Sequence, residues 1–289
     1  MRRSLLPVPP EQLSDWIGRD ETRCDAVTAP PLARLAALLN HTGASPWQAG
    51  SLPPLGHWLY ALPAVPQSQL SEDGHPQLGQ FLPPISLPRR MWAAGSLEFL
   101  HPIRIGDSIR KYSVIEGIEE KKGRSGDLVF VKLRHDVHNP AGLALRETQE
   151  LVYRDKPEAS KALPESATED PLPVADWTRT LMPDPILLFR FSAATFNSHR
   201  IHYDRDYAVG VEGYPGLVVH GPLIAILLMD LFLKNHPGAL VARFRFRAHR
   251  PLFDSQPLTV CGIKRAAGAE LWALNANRQI AMRAELSCG

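Results

Sequence analysis

The sequence has few cysteines and no strong charge of one sign, and each absence removes a class of protein. Its three cysteines, Cys24, Cys261 and Cys288, form no C-x-x-C pair, so neither a disulfide framework nor a cysteine metal site is expected. We expect free thiols in a reducing cytoplasm. The formal net charge is +2 over 289 residues, without a basic block, which argues against a nucleic-acid partner.

Long apolar runs and nucleotide-binding motifs are also absent from the sequence. The most apolar run, Leu223 to Met229, ends at Asp230 and is far shorter than the roughly 20 residues that a membrane span needs. The first residues lack an apolar signal core. There is no G-x-G-x-x-G and no P-loop, so no nucleotide or redox cofactor is expected. The composition, 44% apolar and 21% charged, is as expected for a soluble globular protein, and no membrane contact is predicted.

The first half of the chain predicts one helix followed by antiparallel strands. Leucines and alanines recur at helical spacing over Pro31–Leu39. Residues Ser45–Arg89 hold many prolines, which exclude a long regular element. From Ala93 to Arg154 the pattern changes to β-forming stretches separated by glycine- and proline-containing turns. Residues 1–154 are therefore predicted to form an α+β domain.

The second half repeats this order after an acidic stretch rich in proline and alanine, residues 155–176, which is predicted to be a linker. A helix is predicted over Pro222–Asn235, and strands follow it to Leu286. Residues 177–289 thus form a second predicted α+β domain. Two central helices, each wrapped by a curved antiparallel sheet, fit the pattern, and the two sheets would join edge to edge and bury those edges.

The helix that follows His220-Gly221 is apolar on every side, so it is expected to be buried on every side. The first N–H groups of a helix lack partners within it, and the helix N-terminus carries a partial positive charge. The Gly221 amide is therefore a candidate donor for a substrate carbonyl oxygen in a dry site. The alternative is that Gly221 only eases the turn into the helix.

A dense polar cluster precedes that helix, between Asn197 and Asp204. His202 is the candidate acid–base group, because histidine titrates near neutral pH. A structural histidine is the competing interpretation. The pair His199 and His202 has metal-like spacing, but no third ligand stands at a standard distance, so no metal is expected. Ser198 lacks a G-x-S-x-G turn, which makes serine hydrolase chemistry a poor fit.

The string Asn197-Ser198-His199-Arg200-Ile201-His202-Tyr203-Asp204, with the later His220-Gly221, resembles the hydratase motif of the MaoC-like family. Arg89-Arg90-Met91-Trp92-Ala93, Leu97-Glu98-Phe99 and Gly123-Arg124-Ser125-Gly126 resemble the subgroup that carries an N-terminal FAS1-like dehydratase domain. The resemblance implies a double hot-dog fold, with the FAS1-like half at 1–154 and the catalytic MaoC-like half at 177–289.

The resemblance also implies the chemistry. It places the catalytic histidine at His202 and the oxyanion glycine at Gly221. The family's aspartate is Asn197 here, and an amide holds water but exchanges no proton at neutral pH. Whether His202 works alone with that water, or with Asp204 or His199, stays open.

The subgroup hydrates C5 dicarboxylic enoyl-CoA thioesters, so the first expectation is an itaconyl-CoA hydratase in itaconate degradation. The alternatives are a mesaconyl-C4-CoA hydratase, a 3-hydroxyacyl-thioester dehydratase and a hot-dog thioesterase. A non-catalytic acyl-binding or assembly module is a further alternative, and the presence of His202 argues against it.

Binding of the acyl-CoA needs cations for the second carboxylate and for the phosphates. Arg200 is the candidate for the carboxylate, with ion pairing to Asp204 or Asp206 as the equal alternative. Arg89, Arg90 and the face formed by Arg243, Arg245 and Arg247 are the candidates for the phosphates, and the competing interpretation of the last is a solvated strand face. The remaining candidate substrate-binding residues are Tyr203, Asp204, His220, His199 and Trp92. Coenzyme A is part of the substrate, and no separate cofactor is implied. A double hot-dog chain can be self-sufficient, and the alternative is a homodimer, because dimers are common in the family.

Overall fold

The structure is a computed structural model that describes residues 10–123, 126–155 and 172–289. Arg124, Ser125 and most of the predicted linker, residues 156–171, lie outside the described residues. The strands are β1 (Asp20–Ala26), β2 (Arg89–Phe99), β3 (Ser108–Gly123), β4 (Gly126–Asn139), β5 (Gly142–Arg154), β6 (Trp177–Leu181), β7 (Val241–Ala248), β8 (Leu258–Arg265), β9 (Gly268–Leu274) and β10 (Ile280–Cys288). The helices are α1 (Ala29–Leu38), α2 (Pro185–Ala194) and α3 (Gly221–Asn235).

All ten strands form one antiparallel sheet in the order β1-β3-β4-β5-β2-β7-β10-β9-β8-β6. The second five strands repeat the order of the first five in mirror sequence, so each half has the same topology. The halves meet where β2 pairs with β7, with Leu97 opposite Phe244. This pairing removes two exposed sheet edges, which would otherwise invite pairing with other chains. The predicted α+β class and the edge-to-edge joining of two sheets are confirmed. The division at 154 and 177 into domains stays a prediction.

Helices α1 and α3 contribute to one continuous core on the inner face of the sheet. Every residue of α3 from Leu223 to Leu233 is buried, as its apolar sequence predicts. The buried Asp230 within it accepts hydrogen bonds from His41 at 2.8 Å and Arg179 at 2.6 Å. These partners offset the cost of burying its charge. Within the described residues, no helix is long and apolar enough to cross a membrane.

Strand β7 separates the core from the outer face by strict alternation. Phe244 and Phe246 are buried, whereas Arg243, Arg245 and Arg247 are exposed. Each arginine lies near a glutamate on another strand, on β2, β10 and β5 respectively, at 3.4 to 3.8 Å. The outer face at the junction of the halves is therefore a solvated ion-pair surface.

Strands β1 and β6 were not predicted, so a strand precedes the central helix in each half, and the segment Pro10–Trp16 before β1 forms a 3-10 helix. Both strands are short and sit at the two ends of the sheet, where each has a single neighbour. Their residues are mostly exposed or half-buried, so no apolar alternation marks them in the sequence. Strand β2 also begins earlier than predicted, at Arg89.

The three cysteines are free thiols, with Cys261 buried in the sheet and Cys24 and Cys288 exposed. This agrees with the absence of a disulfide pattern in the sequence.

Candidate active site

The polar cluster is held by a tight reversal of the chain after α2. Asp184 caps that helix by accepting the Leu187 N–H at 2.7 Å. Phe196 then adopts a left-handed backbone conformation with φ of 50°. The side-chain oxygen of Asn197 accepts the His199 N–H at 3.0 Å, which fixes the turn. The NH₂ group of Asn197 remains available to bind a ligand, at the position where the resembled motif has a carboxylate.

Four imidazole rings from different parts of the chain form a continuous row. The ring of His202 stacks on that of His220 with centroids 3.6 Å apart. His199 meets His202 edge to face at 5.4 Å, and His75 packs against His199 at 3.9 Å. His75 belongs to the proline-rich region of the first half, so both halves build the site.

The hydrogen bond of His202 defines which of its nitrogens can act as a base. Its Nδ1 lies 2.7 Å from the Val218 carbonyl oxygen. Because a carbonyl only accepts, Nδ1 carries the proton, and Nε2 keeps a free lone pair. Burial lowers the pKa of His202 to about 4, so the ring is neutral near pH 7. A neutral buried imidazole with a free Nε2 is a competent general base.

His220 packs face to face against the ring of His202. Its Nε2 lies 2.9 Å from the Ser192 hydroxyl, and its ring packs against that of Phe191 in a T-shaped arrangement with centroids 4.9 Å apart. Burial holds the pKa of His220 well below its usual range, with further lowering from His202 and His199. A neutral ring stacked on the base fixes its orientation without adding charge.

Asp73 and His75 form a carboxylate–imidazole pair that the sequence analysis missed. His75 Nδ1 lies 2.7 Å from Asp73 Oδ2, and the His75 N–H donates to Asp73 Oδ1 at 2.9 Å. Burial would raise the pKa of Asp73, but its bonds to His75 outweigh this and hold it below its usual range. Burial and the charge of Arg90 lower the pKa of His75 to about 4. The only sequence signal was an Asp-Gly-His string inside an otherwise irregular, proline-rich stretch.

The loop that carries this pair docks directly on the catalytic segment. The Arg200 N–H donates to the Asp73 carbonyl at 2.8 Å, and the Ser198 hydroxyl donates to the Gly74 carbonyl at 2.5 Å. Gly74 has φ of 89°, and a Cβ there would lie 1.8 Å from the backbone carbonyl oxygen of Ser198. Only glycine fits this close backbone approach.

Gly221 begins α3 directly after the stacked His220. Its backbone does not adopt the left-handed conformation, and an added Cβ would meet nothing within 4 Å. Neither the turn nor the packing therefore requires glycine, which weakens the interpretation that it only eases the turn. Its N–H is one of the helix donors without an intrahelical partner. The open space beside the Cα of Gly221 leaves room for a ligand near a helix N-terminal amide, a type of donor that can stabilise a carbonyl oxygen.

Two of the arginines assigned to the substrate are already paired. Arg200 binds Asp204 through Nε at 3.0 Å and Nη2 at 2.8 Å, and its guanidinium stacks 4.1 Å from the Tyr207 ring. The Tyr207 amide, followed by Arg200, lowers the pKa of Asp204. Arg89 pairs with Glu212 at 3.0 Å and ties the two halves together. We therefore no longer assign Arg200 to the carboxylate, Arg89 to a phosphate, or Asp204 to catalysis.

Two other candidate residues have structural contacts. The Tyr203 hydroxyl donates to the Ser198 carbonyl at 2.9 Å, and the residue is 41% exposed. Trp92 donates to the Ala94 carbonyl at 2.9 Å and packs against Phe246 across the junction of the halves. The structure thus brings together His199, His202, His220, Asn197 and Gly221, and it adds Asp73 and His75.

Asp73, His75 and His199 also have donor atoms within 4.8 Å of one another, the third-ligand arrangement that the sequence did not reveal. Two imidazoles on one tetrahedral metal hold their centroids roughly 5 Å apart, because each ring points its nitrogen at the ion. The His75 and His199 centroids are 3.9 Å apart with a 37° tilt, so the rings stack instead of converging. This geometry favours a hydrogen-bonded proton site, and the absence of a metal stays a prediction.

Two mirrored half-sheets around a buried helix, with a neutral histidine beside that helix's N-terminus, define the class of double hot-dog hydratases. A family model for hydroxyacyl-thioester dehydratase type 2 matches residues 55–254. The chain belongs to this family and is a hydro-lyase, an enzyme that adds water to a carbon–carbon double bond or removes it.

Relatives agree with this assignment. The chain is 46% identical, over 95% of its own length and 97% of the relative's, to mesaconyl-C4-CoA hydratase of Chloroflexus aurantiacus. A solved MaoC-like dehydratase superposes with a TM-score of 0.69 at 14% identity, covering 94% of this chain and 98% of that one. A Mycobacterium tuberculosis protein described as a double hot-dog superposes with a TM-score of 0.57 at 12% identity, covering 94% and 96%. The predicted double hot-dog fold is confirmed.

Proposed function

We propose that the protein hydrates mesaconyl-C4-CoA, or catalyses the reverse dehydration. The observation that carries the proposal is the neutral His202, with Nε2 free, beside the unpaired Gly221 amide. The 46% identity to a mesaconyl-C4-CoA hydratase supports this substrate. Itaconyl-CoA, the first expectation from the sequence, has no comparable support and becomes the second candidate.

In the proposed reaction, the thioester oxygen accepts a hydrogen bond from the Gly221 N–H. His202 Nε2 takes a proton from water while the water oxygen bonds to the β-carbon. The π electrons move toward the thioester, and the developing enolate charge is stabilised at the helix N-terminus, where such a donor is worth about 3 kcal/mol. The α-carbon then takes the proton back from His202, which regenerates the neutral base.

The water also needs a second acceptor, because the aspartate of the resembled motif is Asn197 here. We assign this role to the imidazoles of His199 and His75, and Asp73 holds the His75 ring in position by a hydrogen bond. Asp73 accepts the Nδ1 proton of His75, so His75 keeps its Nε2 as an acceptor. This arrangement supplies from the first half the group that the catalytic segment itself lacks.

The test follows the loss of enoyl absorbance with mesaconyl-C4-CoA, itaconyl-CoA and crotonyl-CoA. We expect the highest kcat/KM with mesaconyl-C4-CoA, and a fall in kcat of about 10²- to 10⁴-fold for His202→Gln. The matched control is His101→Gln, since His101 is exposed and outside the site. Full activity of a folded His202→Gln variant would refute the proposed base. Release of free thiol without loss of the double bond would instead indicate a thioesterase.

The homodimer stays a prediction. Light scattering on the purified chain would determine the molecular mass and decide between one and two copies.

A further inference from the structure

Arg90 differs from its neighbour Arg89 because no described carboxylate lies within ion-pair distance of it. It is half-buried on β2, directly opposite Tyr153 of β5 in the antiparallel register. Directly opposed residues project from the same face of a sheet, so both side chains face the interior beside the imidazole row. Its charge acts on His75 and His199 as well as on Tyr153.

Tyr153 adds a buried hydroxyl beside Arg90. The residue is 1% exposed, and its hydroxyl interacts with the Arg90 guanidinium at a geometry short of a full hydrogen bond, so the hydroxyl proton has no acceptor among the described residues. Buried hydroxyls are nearly always paired, because leaving one unpaired costs free energy. A guanidinium offers only donors, and the hydroxyl proton beside it also needs an acceptor, so an anion that accepts from each would satisfy both.

We infer that Arg90 and Tyr153 form a subsite for the free carboxylate of a dicarboxylic enoyl thioester. The inference rests on the proposed hydratase function and names the chemical feature of the substrate that the site selects. The guanidinium binds the carboxylate oxygens as a fork, and the Tyr153 hydroxyl donates to one of them. Arg90 thereby takes the role that Arg200, paired to Asp204, does not fill.

The order of groups along the site matches the order of groups along such a substrate. Gly221 and His220 stand at one end of the imidazole row, His202 follows, and His75 with Arg90 stands at the other end. In mesaconyl-C4-CoA the thioester carbonyl, the α-carbon, the β-carbon and the carboxylate follow one another. A carbonyl held at Gly221 therefore points the carboxylate toward Arg90 and the β-carbon toward the base.

A phosphate of the CoA moiety is the other anion that Arg90 and Tyr153 could bind. Comparing two substrates distinguishes a bound phosphate from a bound carboxylate. Crotonyl-CoA carries the same CoA but no free carboxylate. For Arg90→Met we expect kcat/KM with mesaconyl-C4-CoA to fall at least about thirty-fold, because a buried charge loses its partner. With crotonyl-CoA we expect a change of less than about twofold.

Tyr153→Phe removes one hydrogen bond to a charged group and is expected to lower kcat/KM about tenfold, again only with mesaconyl-C4-CoA. The matched control is Arg245→Met, which removes an arginine whose side chain is 60% exposed on the outer face of β7. This variant should leave kcat/KM unchanged with both substrates. Inhibition of crotonyl-CoA hydration gives an independent readout. Succinyl-CoA should inhibit the wild type more strongly than butyryl-CoA, and Arg90→Met should abolish that difference.

Equal losses with both enoyl thioesters would overturn the subsite and assign Arg90 to CoA or to the reaction in general. No loss with either would also overturn it. If Arg90→Met does not fold, Arg90→Lys and Tyr153→Phe are compared in the same way, and equal effects on both substrates have the same meaning. A wild-type enzyme inactive on every enoyl thioester would instead refute the proposed function itself.

Discussion

The ring of His202 lies face to face with that of His220, at 3.6 Å and an interplanar angle of 18°. The next peptide after His220 carries the Gly221 N–H, so the proposed base and the proposed carbonyl donor are held together through the His220 ring. His202 is anchored on its other side by the Val218 carbonyl. A base and a donor fixed by packing lose little entropy when the substrate binds, and this pre-organisation lowers the barrier to reaction.

The Asp73 carboxylate is expected to act by orienting His75. Asp73→Asn keeps the shape but presents an amide, which no longer stabilises the Nδ1–H form of the ring. We expect kcat to fall by about 10²-fold with little change in KM, because the water and not the thioester loses a contact. Steady-state kinetics with mesaconyl-C4-CoA would measure both. Wild-type kcat in Asp73→Asn would show that the second half needs no help from the first.

The pH dependence of activity should lie well below the usual range of histidine. Burial lowers the pKa of His202 and of His75 to about 4, so both stay unprotonated from pH 8 to below pH 6. We expect kcat/KM to be level over that range and to fall only below about pH 5, measured after rapid dilution into acid buffer. An acid limb centred near pH 6.5 would contradict the buried, neutral base.

As the pH falls, the free energy of unfolding should begin to decrease at a higher pH than the activity does. The folded pKa values of His202, His75 and His135 lie near 4, below the unfolded value near 6.5. Between these values the unfolded chain binds more protons than the folded one, so the free energy of unfolding decreases as pH falls. Each histidine contributes about 1.4 kcal/mol per pH unit in this window. Urea unfolding at pH 7.5 and 5.0 would measure the loss, and equal midpoints would contradict it.

Gly221→Ala should separate folding from catalysis. The new Cβ meets no protein atom within 4 Å, and alanine favours a helix more than glycine does, so stability should be unchanged or slightly higher. The methyl group would project into this open space, where we propose that the thioester lies, and kcat/KM should fall by about tenfold or more. Thermal unfolding and hydration kinetics on one sample test both parts. Full activity would show that no ligand approaches Gly221.

Chelation should leave the enzyme active. The stacked geometry of His75 and His199 favours a proton site over a metal site. We expect unchanged kcat after dialysis against EDTA, and metal analysis of the purified protein should find less than one equivalent. Loss of activity that a divalent cation restores would assign Asp73, His75 and His199 to a metal instead.

Local sequence determined the parts of the site that lie close together in the chain. The apolar run of α3 had to be buried because no face of it is polar, and its N-terminus fixed the Gly221 amide. The spacing from Asn197 to His202 likewise specified one compact turn. Alternation in β7 separated core phenylalanines from surface arginines for the same local reason.

Tertiary structure alone decided which distant residues complete that site. Asp73 and His75 precede His199 by more than one hundred residues, and Arg90 meets Tyr153 only through the pairing of β2 with β5. Such contacts depend on register and docking, which no local pattern encodes. The pairing of Arg200 was decided similarly, because the folded turn placed Asp204 within reach of its guanidinium. Sequence thus predicted the proposed base and donor, and the fold supplied the groups that we propose assist them.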